Sequence, residues 1–256
     1  MISWILAGVL AFQQPAPSAP TPTAAKLVSL MLARYAQAKT VFGNIRLVQT
    51  SQNVSLEIDT SLAMERPDLI YLHQVKPNSN KAPADLVSDG VQFAYTAIPS
   101  PLSPPKLIES VYPAQMPPQH VGEMYFCILP GLLDHSVPLD VVIGRRDHLA
   151  LLITELAQFS LKGSSTLRGI SVYEIAGDWK DAMRNQISGT FELYVTPAGD
   201  LVRFVRHHFF GVSPKYLMNN HLPFDAFPNG VPVDETWDAD LTVDKPVNRS
   251  LFTLRQ

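Results

Sequence analysis

The chain has 256 residues, a net charge of −3, 46% hydrophobic and 17% charged residues, 22 prolines and one cysteine. The hydrophobic share excludes a disordered chain, and the charge excludes the basic footprint of a nucleic-acid binder. The lone Cys127 excludes an internal disulfide framework and a multi-cysteine metal site.

Residues 2–12, ISWILAGVLAF, form an apolar run of 11 residues. A membrane-spanning helix needs about 20, so the run reads as the apolar core of a secretory signal peptide. The small-x-small site Ala16-Pro17-Ser18 places cleavage before Ala19. Residues 1–18 are therefore expected to be a signal peptide, and the protein exported, periplasmic or secreted. No Cys follows the run, so lipid anchoring is not expected. Gln13–Thr23 carries four prolines and no charge. It reads as a flexible lead, of which 19–23 stay on a single mature domain, 24–256.

Thr23 can cap a helix over Ala24–Ala38, with Leu27, Leu30, Met31, Tyr35 and Ala38 on one face. The period then changes to two. Val41–Thr50 reads as a strand, and Val54–Met64 alternates strictly, with Val54, Leu56, Ile58, Thr60, Leu62 and Met64 on one side. Leu69–Val75 follows the Arg66-Pro67 break, and Asp89-Gly90 marks a hairpin turn between Asp85–Ser88 and Val91–Thr96. Residues 99–130 hold eight prolines and predict a long irregular insert. Pro138–Ile143 and Asp147–Gln158 read as helical pieces, the second on the stripe Leu149, Leu152, Ile153 and Leu156. Strands return at Phe159–Thr166, Ile170–Ala176, Ile187–Val195 and Leu201–Phe209, followed by a second insert over 211–232. The last strand alternates from Val233 through Trp237 to Val243, with Asp234, Asp238, Asp240 and Asp244 on the opposite side. The strands are close in sequence and should form an antiparallel meander.

No motif carries catalysis or a cofactor. His207 and His208 point to opposite faces of a strand and cannot easily share an ion, and His221 lies in a loop. Calcium needs converging oxygens rather than the straight Asp234–Asp244 ladder. There is no Gly-x-Ser-x-Gly elbow and no phosphate-binding glycine loop. Cys127 sits in the apolar strip Tyr125-Phe126-Cys127-Ile128-Leu129, which suits an inert thiol. Neither a metal nor a cofactor is expected, and neither is an enzyme.

The ordered set Tyr35-x7-Gly43, Glu65-Arg66-Pro67, Leu86-Val87-Ser88-Asp89-Gly90-Val91-Gln92-Phe93, Leu167-Arg168-Gly169, Phe191-Glu192-Leu193-Tyr194-Val195 and Val247-Asn248-Arg249-Ser250-Leu251-Phe252 resembles the LolA/LppX-like superfamily of exported bacterial lipoprotein and lipid carriers. The resemblance covers about Ala24 to Phe252. It implies an α+β, mainly β fold: a strongly curved antiparallel sheet forming an incomplete barrel, its concave side covered by helices. It also implies a non-enzymatic carrier or binding protein that holds a lipid or lipidated peptide in a hydrophobic cavity. The other reading it allows is an envelope sensor or interaction module that meets a membrane-protein partner through its insertions. The partners expected are a lipid or acylated protein and no nucleic acid, and the chain is expected to be a monomer. The wall of such a cavity would be Leu56, Ile58, Leu62, Tyr71, Phe93, Tyr95, Phe191, Leu193 and Trp237, with Leu27, Met31 and Tyr35 from the helix. Residues 99–130 would be its mouth or lid. The same residues could equally fill a packed core, because periodicity does not separate the two.

Overall fold

A computed structural model describes residues 21–52, 54–77, 79, 83–97, 108–113, 121–128, 132–134, 137–144, 155–181, 186–210, 218, 223 and 230–254. Residues 1–20, which hold the expected signal peptide, lie outside these, as do 145–154 and most of both inserts, including His221.

Helix α1 (Ala24–Gln37) starts where the sequence places it, with the Thr23 hydroxyl accepting from Lys26 N at 3.2 Å. It buries Leu27, Val28, Met31, Leu32 and Tyr35 along one face. Strands β1 (Thr40–Ser51), β2 (Val54–Glu65), β3 (Leu69–Val75), β4 (Ala84–Asp89) and β5 (Gln92–Ala97) follow. Asp89 makes the β4–β5 turn by accepting from Val91 N and Gln92 N, each at 2.8 Å, while Gly90 takes φ +86°. The second half holds β7 (Leu156–Leu167), β8 (Ile170–Asp181), β9 (Gln186–Val195), β10 (Leu201–Phe210) and β11 (Val231–Val243), then a 3-10 turn at Arg249–Phe252.

Two stretches depart from the sequence reading. Inside the proline-rich 99–130 stretch stand strand β6 (Ile108–Pro113) and helix α2 (Val121–Ile128). β6 is a sheet edge, where Pro113 needs no N–H for a further partner. Leu156–Gln158, read as the end of a helix, instead opens β7: Leu156 pairs with Trp179, and Gln158 (φ +47°) sits in a bulge. Helix α3 (Val137–Ile143) matches its expected place.

Among the described residues the strands form one sheet in the order β6-β5-β4-β3-β2-β1-β11-β10-β9-β8-β7, all neighbours antiparallel. It is two meanders rather than one. Their first and last strands, β1 and β11, are joined in register from Val41↔Val243 to Thr50↔Asp234. At that seam Gly43 takes φ +142°, and a Cβ there would meet the Asp240 carbonyl oxygen at 2.0 Å. Only glycine fits so close a strand approach.

The sheet is open, since β6 and β7 are its two edges. It is also strongly curved. Laid flat, eleven strands would span about 48 Å, whereas a 14-residue helix is about 21 Å long. Yet side chains from β1–β5 and β7–β11 join those of α1, α2 and α3 in a single buried cluster. The chain is thus an incomplete antiparallel barrel with helices on its concave side.

Candidate functional site

The concave face is built by alternation. On β2, Ile58, Leu62 and Met64 point inward; on β9, Phe191, Leu193 and Val195; on β11, Trp237, Ala239 and Val243. α1 lays Leu27, Met31 and Tyr35 against them. Of the twelve sequence-selected wall residues, nine are buried in this cluster, and Leu56 and Tyr95 are partly buried against it. Tyr71 lies elsewhere. On β3 it is Ile70, Leu72 and Gln74 that are fully buried, so Tyr71 faces outward, stacked on His73 with ring centroids 6.3 Å apart.

Among the described residues the concave face is closely filled. Aromatic rings run from Trp179 to Phe204 (5.9 Å between centroids), from Phe204 to Trp237 (5.6 Å) and from Phe204 to Phe191 (6.2 Å). A void of about 10 Å³ lies between α1, α3 and the sheet, lined by Met31, Val137, Pro138, Val141, Leu156, Leu193, Leu201 and Phe204. That is room for roughly one water, in a lining with no polar side chain. Small-molecule pockets run to about 300–1,000 Å³, so an acyl chain enters here only if a helix moves.

The two ends of the barrel are finished differently. At the proximal end, where β1 starts and β2 finishes, polar groups tie main chain to main chain. Arg66 donates to the carbonyls of Tyr35 (3.2 Å), Ala38 (3.0 Å), Val142 (3.4 Å) and Ile143 (2.9 Å), closing the ends of α1 and α3 onto the sheet. Tyr35, fully buried, accepts from Leu201 N at 3.1 Å. Burial pushes its phenol up to about 12, against the opposing pull of that N–H. Arg34 pairs with Asp200 in the β9–β10 turn.

At the distal end the concave face carries a cluster of polar side chains around Glu235. Glu235, 6% exposed, accepts from Arg206 Nε (2.7 Å) and Gln49 Nε2 (3.1 Å), and His208 Nε2 stands 3.1 Å away. The Arg206 guanidinium lies over Trp179 at 4.9 Å and over Trp237 at 5.4 Å. Burial works to raise the Glu235 carboxyl, but His208 and Arg206 outweigh it and hold it below the usual carboxylate range. Nearby, buried Gln74 donates to the Asp134 carbonyl (2.7 Å) and accepts from Leu133 N (2.8 Å) and Asp134 N (3.1 Å), fastening 133–134 across the sheet. Trp237 Nε1 donates to the Asp134 carboxylate at 3.2 Å. Sequence reasoning missed this set. Gln74 and Arg206 fall in the same alternation phase as Leu72 and Phe204, and a polar residue in an apolar phase is the available signal.

The outward polar residues are paired as a strand surface pairs them. His207 meets Asp234 at 2.7 Å on the face opposite His208, and Arg203 holds Asp238 through two bonds of 2.8 and 3.0 Å.

No family model matches the chain, and no curated protein does. Solved structures do. The Mycobacterium tuberculosis lipoprotein LppX is 10% identical, over 88% of this chain and 98% of that one, with a TM-score of 0.41. The Pseudomonas aeruginosa MucA/MucB complex is matched at 12% identity over 88% of this chain and 59% of that one, TM-score 0.41. A LolA superfamily protein from Nitrosomonas europaea is matched at 10% identity over 91% and 99%, TM-score 0.33. These are likenesses of fold.

Proposed function

We propose that the chain is an exported, non-enzymatic binding protein that takes the acyl chain of a lipid or of a lipidated protein between its concave sheet and helix α3. The observation that supports this reading is the seam at the void. Every side chain on both sides of it, from Val137 and Val141 on α3 to Leu193 and Phe204 on the sheet, is apolar. Moving α3 outward would expose a continuous hydrocarbon surface. An acyl chain of sixteen carbons would then bury about 10 kcal/mol worth of apolar surface before binding costs, which offsets lost α3 contacts. The polar end of the ligand would rest at the distal end, beside Arg206, His208 and Glu235.

The test locks the seam. In a chain with Cys127→Ser, a cystine joining α3 to β9 or β10 should abolish uptake of a fluorescent fatty acid, and reduction should restore it. Native mass spectrometry of protein purified without detergent should show co-purifying acyl lipid. Uptake that is equal in the locked and reduced forms, or no acyl binding in either, overturns the reading.

A further inference from the structure

A second concavity lies outside the barrel, at the proximal end, and nothing in the acyl-binding reading uses it. It is a cleft of about 690 Å³ between the end of α1, the start of β1, the end of β2 and the segment after β11. Its construction is specific. Asp244, at φ +56°, accepts from Lys39 N at 2.8 Å and donates its own N–H to the Thr40 carbonyl at 2.9 Å. The Thr40 hydroxyl donates to the Lys245 carbonyl at 2.7 Å. These bonds pin the 244–245 turn to 39–40 and place both lysines on the cleft wall.

The charges there do not cancel. Five charged residues line the cleft: Lys39, Lys245, Arg249, Glu65 and Asp244. Both acids are already engaged, Glu65 by Arg249 through Nε (3.0 Å) and a second guanidinium nitrogen, and Asp244 by main-chain N–H. Among the described residues no carboxylate lies within ion-pair distance of the Lys39 or Lys245 ammonium groups. Lys39 and Lys245 thus line one cleft without an ion pair among the described residues, and the five lining charges sum to +1 on a protein whose net charge is −3. The local sign is opposite to that of the whole, so non-specific attraction of anions does not account for it. Lysine acts toward phosphate as a point charge, and Pro246 and Val247 supply an apolar wall beside it. The volume exceeds what a bare phosphate fills and leaves room for the carbon part of an ester.

We propose that this cleft binds a phosphate ester of a small polyol, with Lys39 and Lys245 holding the phosphate and Pro246 and Val247 holding the carbon part. The same chemistry occurs in a free sugar or glycerol phosphate and in the headgroup of an anionic phospholipid.

The experiment titrates glycerol 3-phosphate into the full chain at low ionic strength, by calorimetry or ³¹P line broadening. Saturation at one equivalent is expected. Lys39→Ala/Lys245→Ala, checked for folding by circular dichroism, should weaken binding at least about tenfold. Glu65→Gln, which removes an acid and releases Arg249, should strengthen it by about threefold or more. Inorganic phosphate should bind more weakly than the ester if Pro246 and Val247 contribute. Sedimentation with phosphatidylglycerol but not phosphatidylcholine vesicles, lost in the double variant, identifies the lipid headgroup as the source. Ester binding without vesicle binding identifies the free ester. No saturable binding of the ester, binding that survives the double substitution, or weakening by Glu65→Gln overturns the proposal. None of these outcomes bears on acyl uptake at the α3 seam.

Discussion

At the proximal end Arg66 and the Tyr35 hydroxyl meet main-chain groups, while at the distal end Arg206, Gln49 and Glu235 meet one another. The difference separates two kinds of buried polarity. A main-chain carbonyl cannot be designed away, so a side chain that satisfies it is required for the fold. A side-chain pair can be removed together, so its presence on a concave apolar face calls for another reason. On this argument Arg66 and Tyr35 belong to the fold, as does Gln74, which meets the main chain of 133–134, whereas in the proposed function the Arg206–Glu235 pair offers partners to a ligand's polar group.

The largest test of that distinction is Arg66→Met. Methionine keeps much of the volume and leaves the carbonyls of Tyr35, Ala38 and Ile143 without their donor. The expected cost is about 3–5 kcal/mol, read as a lower urea midpoint at unchanged slope. A loss under about 1 kcal/mol would mean that water replaces the guanidinium and that the proximal end is not a closure.

Next is the seam that joins the two meanders. In Gly43→Ala the new Cβ would sit 2.0 Å from the Asp240 oxygen at a backbone angle of φ +142°. The strands must part, at a cost of about 3 kcal/mol. Amide exchange should accelerate first along β1 and β11. Uniform acceleration across the sheet would show that the seam is no weaker than its neighbours.

Tyr35 gives the proximal end a pH signature. Its phenol is raised from 10.0 to about 12 in the folded chain, mainly by burial. Between these values the folded state holds a proton that the unfolded state has lost. The stability this represents is complete below pH 10 and is lost as pH rises toward 12, in all about 2–3 kcal/mol. Burial also raises Tyr125, so the wild type should show a steeper alkaline decline than Tyr35→Phe, not a decline against none. Equal slopes in the two proteins would place the Tyr35 hydroxyl in contact with water.

Much of this architecture was legible because a two-faced strand writes its faces into the sequence. Val54–Met64 and Val233–Val243 alternate cleanly, and the structure pairs both with β1. The β1–β11 seam itself was not legible, since nothing local records a partner some two hundred residues away. Strand β6 and helix α2 were hidden by surrounding prolines, which punctuate elements as readily as they exclude them. Tyr71 was misassigned to the inner face because a single aromatic outweighed the phase of Ile70, Leu72 and Gln74. The distal polar set escaped for the same reason in reverse: a search for apolar residues passes over Gln74 and Glu235.

The smallest expected effect is the most informative about the distal end. Glu235→Gln alone leaves Arg206 and His208 facing an uncharged partner in a largely buried site, and should cost about 1–3 kcal/mol. Because the Glu235 carboxyl is held below its ordinary range, its contribution is present above the unfolded carboxylate value. It is lost as pH falls through the lower folded value, so the single variant should also flatten the acid side of the stability profile. Arg206→Met/Glu235→Leu removes both charges and keeps Trp179 and Trp237 covered. It should lie within about 1 kcal/mol of wild type at neutral pH, because the desolvation of both ions disappears along with their attraction. Urea unfolding of the three proteins separates the alternatives. A double variant as unstable as Arg66→Met would make the distal charges part of the fold, and the two ends would then differ only in which atoms they use. A double variant that is stable yet loses affinity for an acyl ligand's polar end would show that Arg206 and Glu235 stand on the concave face for what the barrel binds.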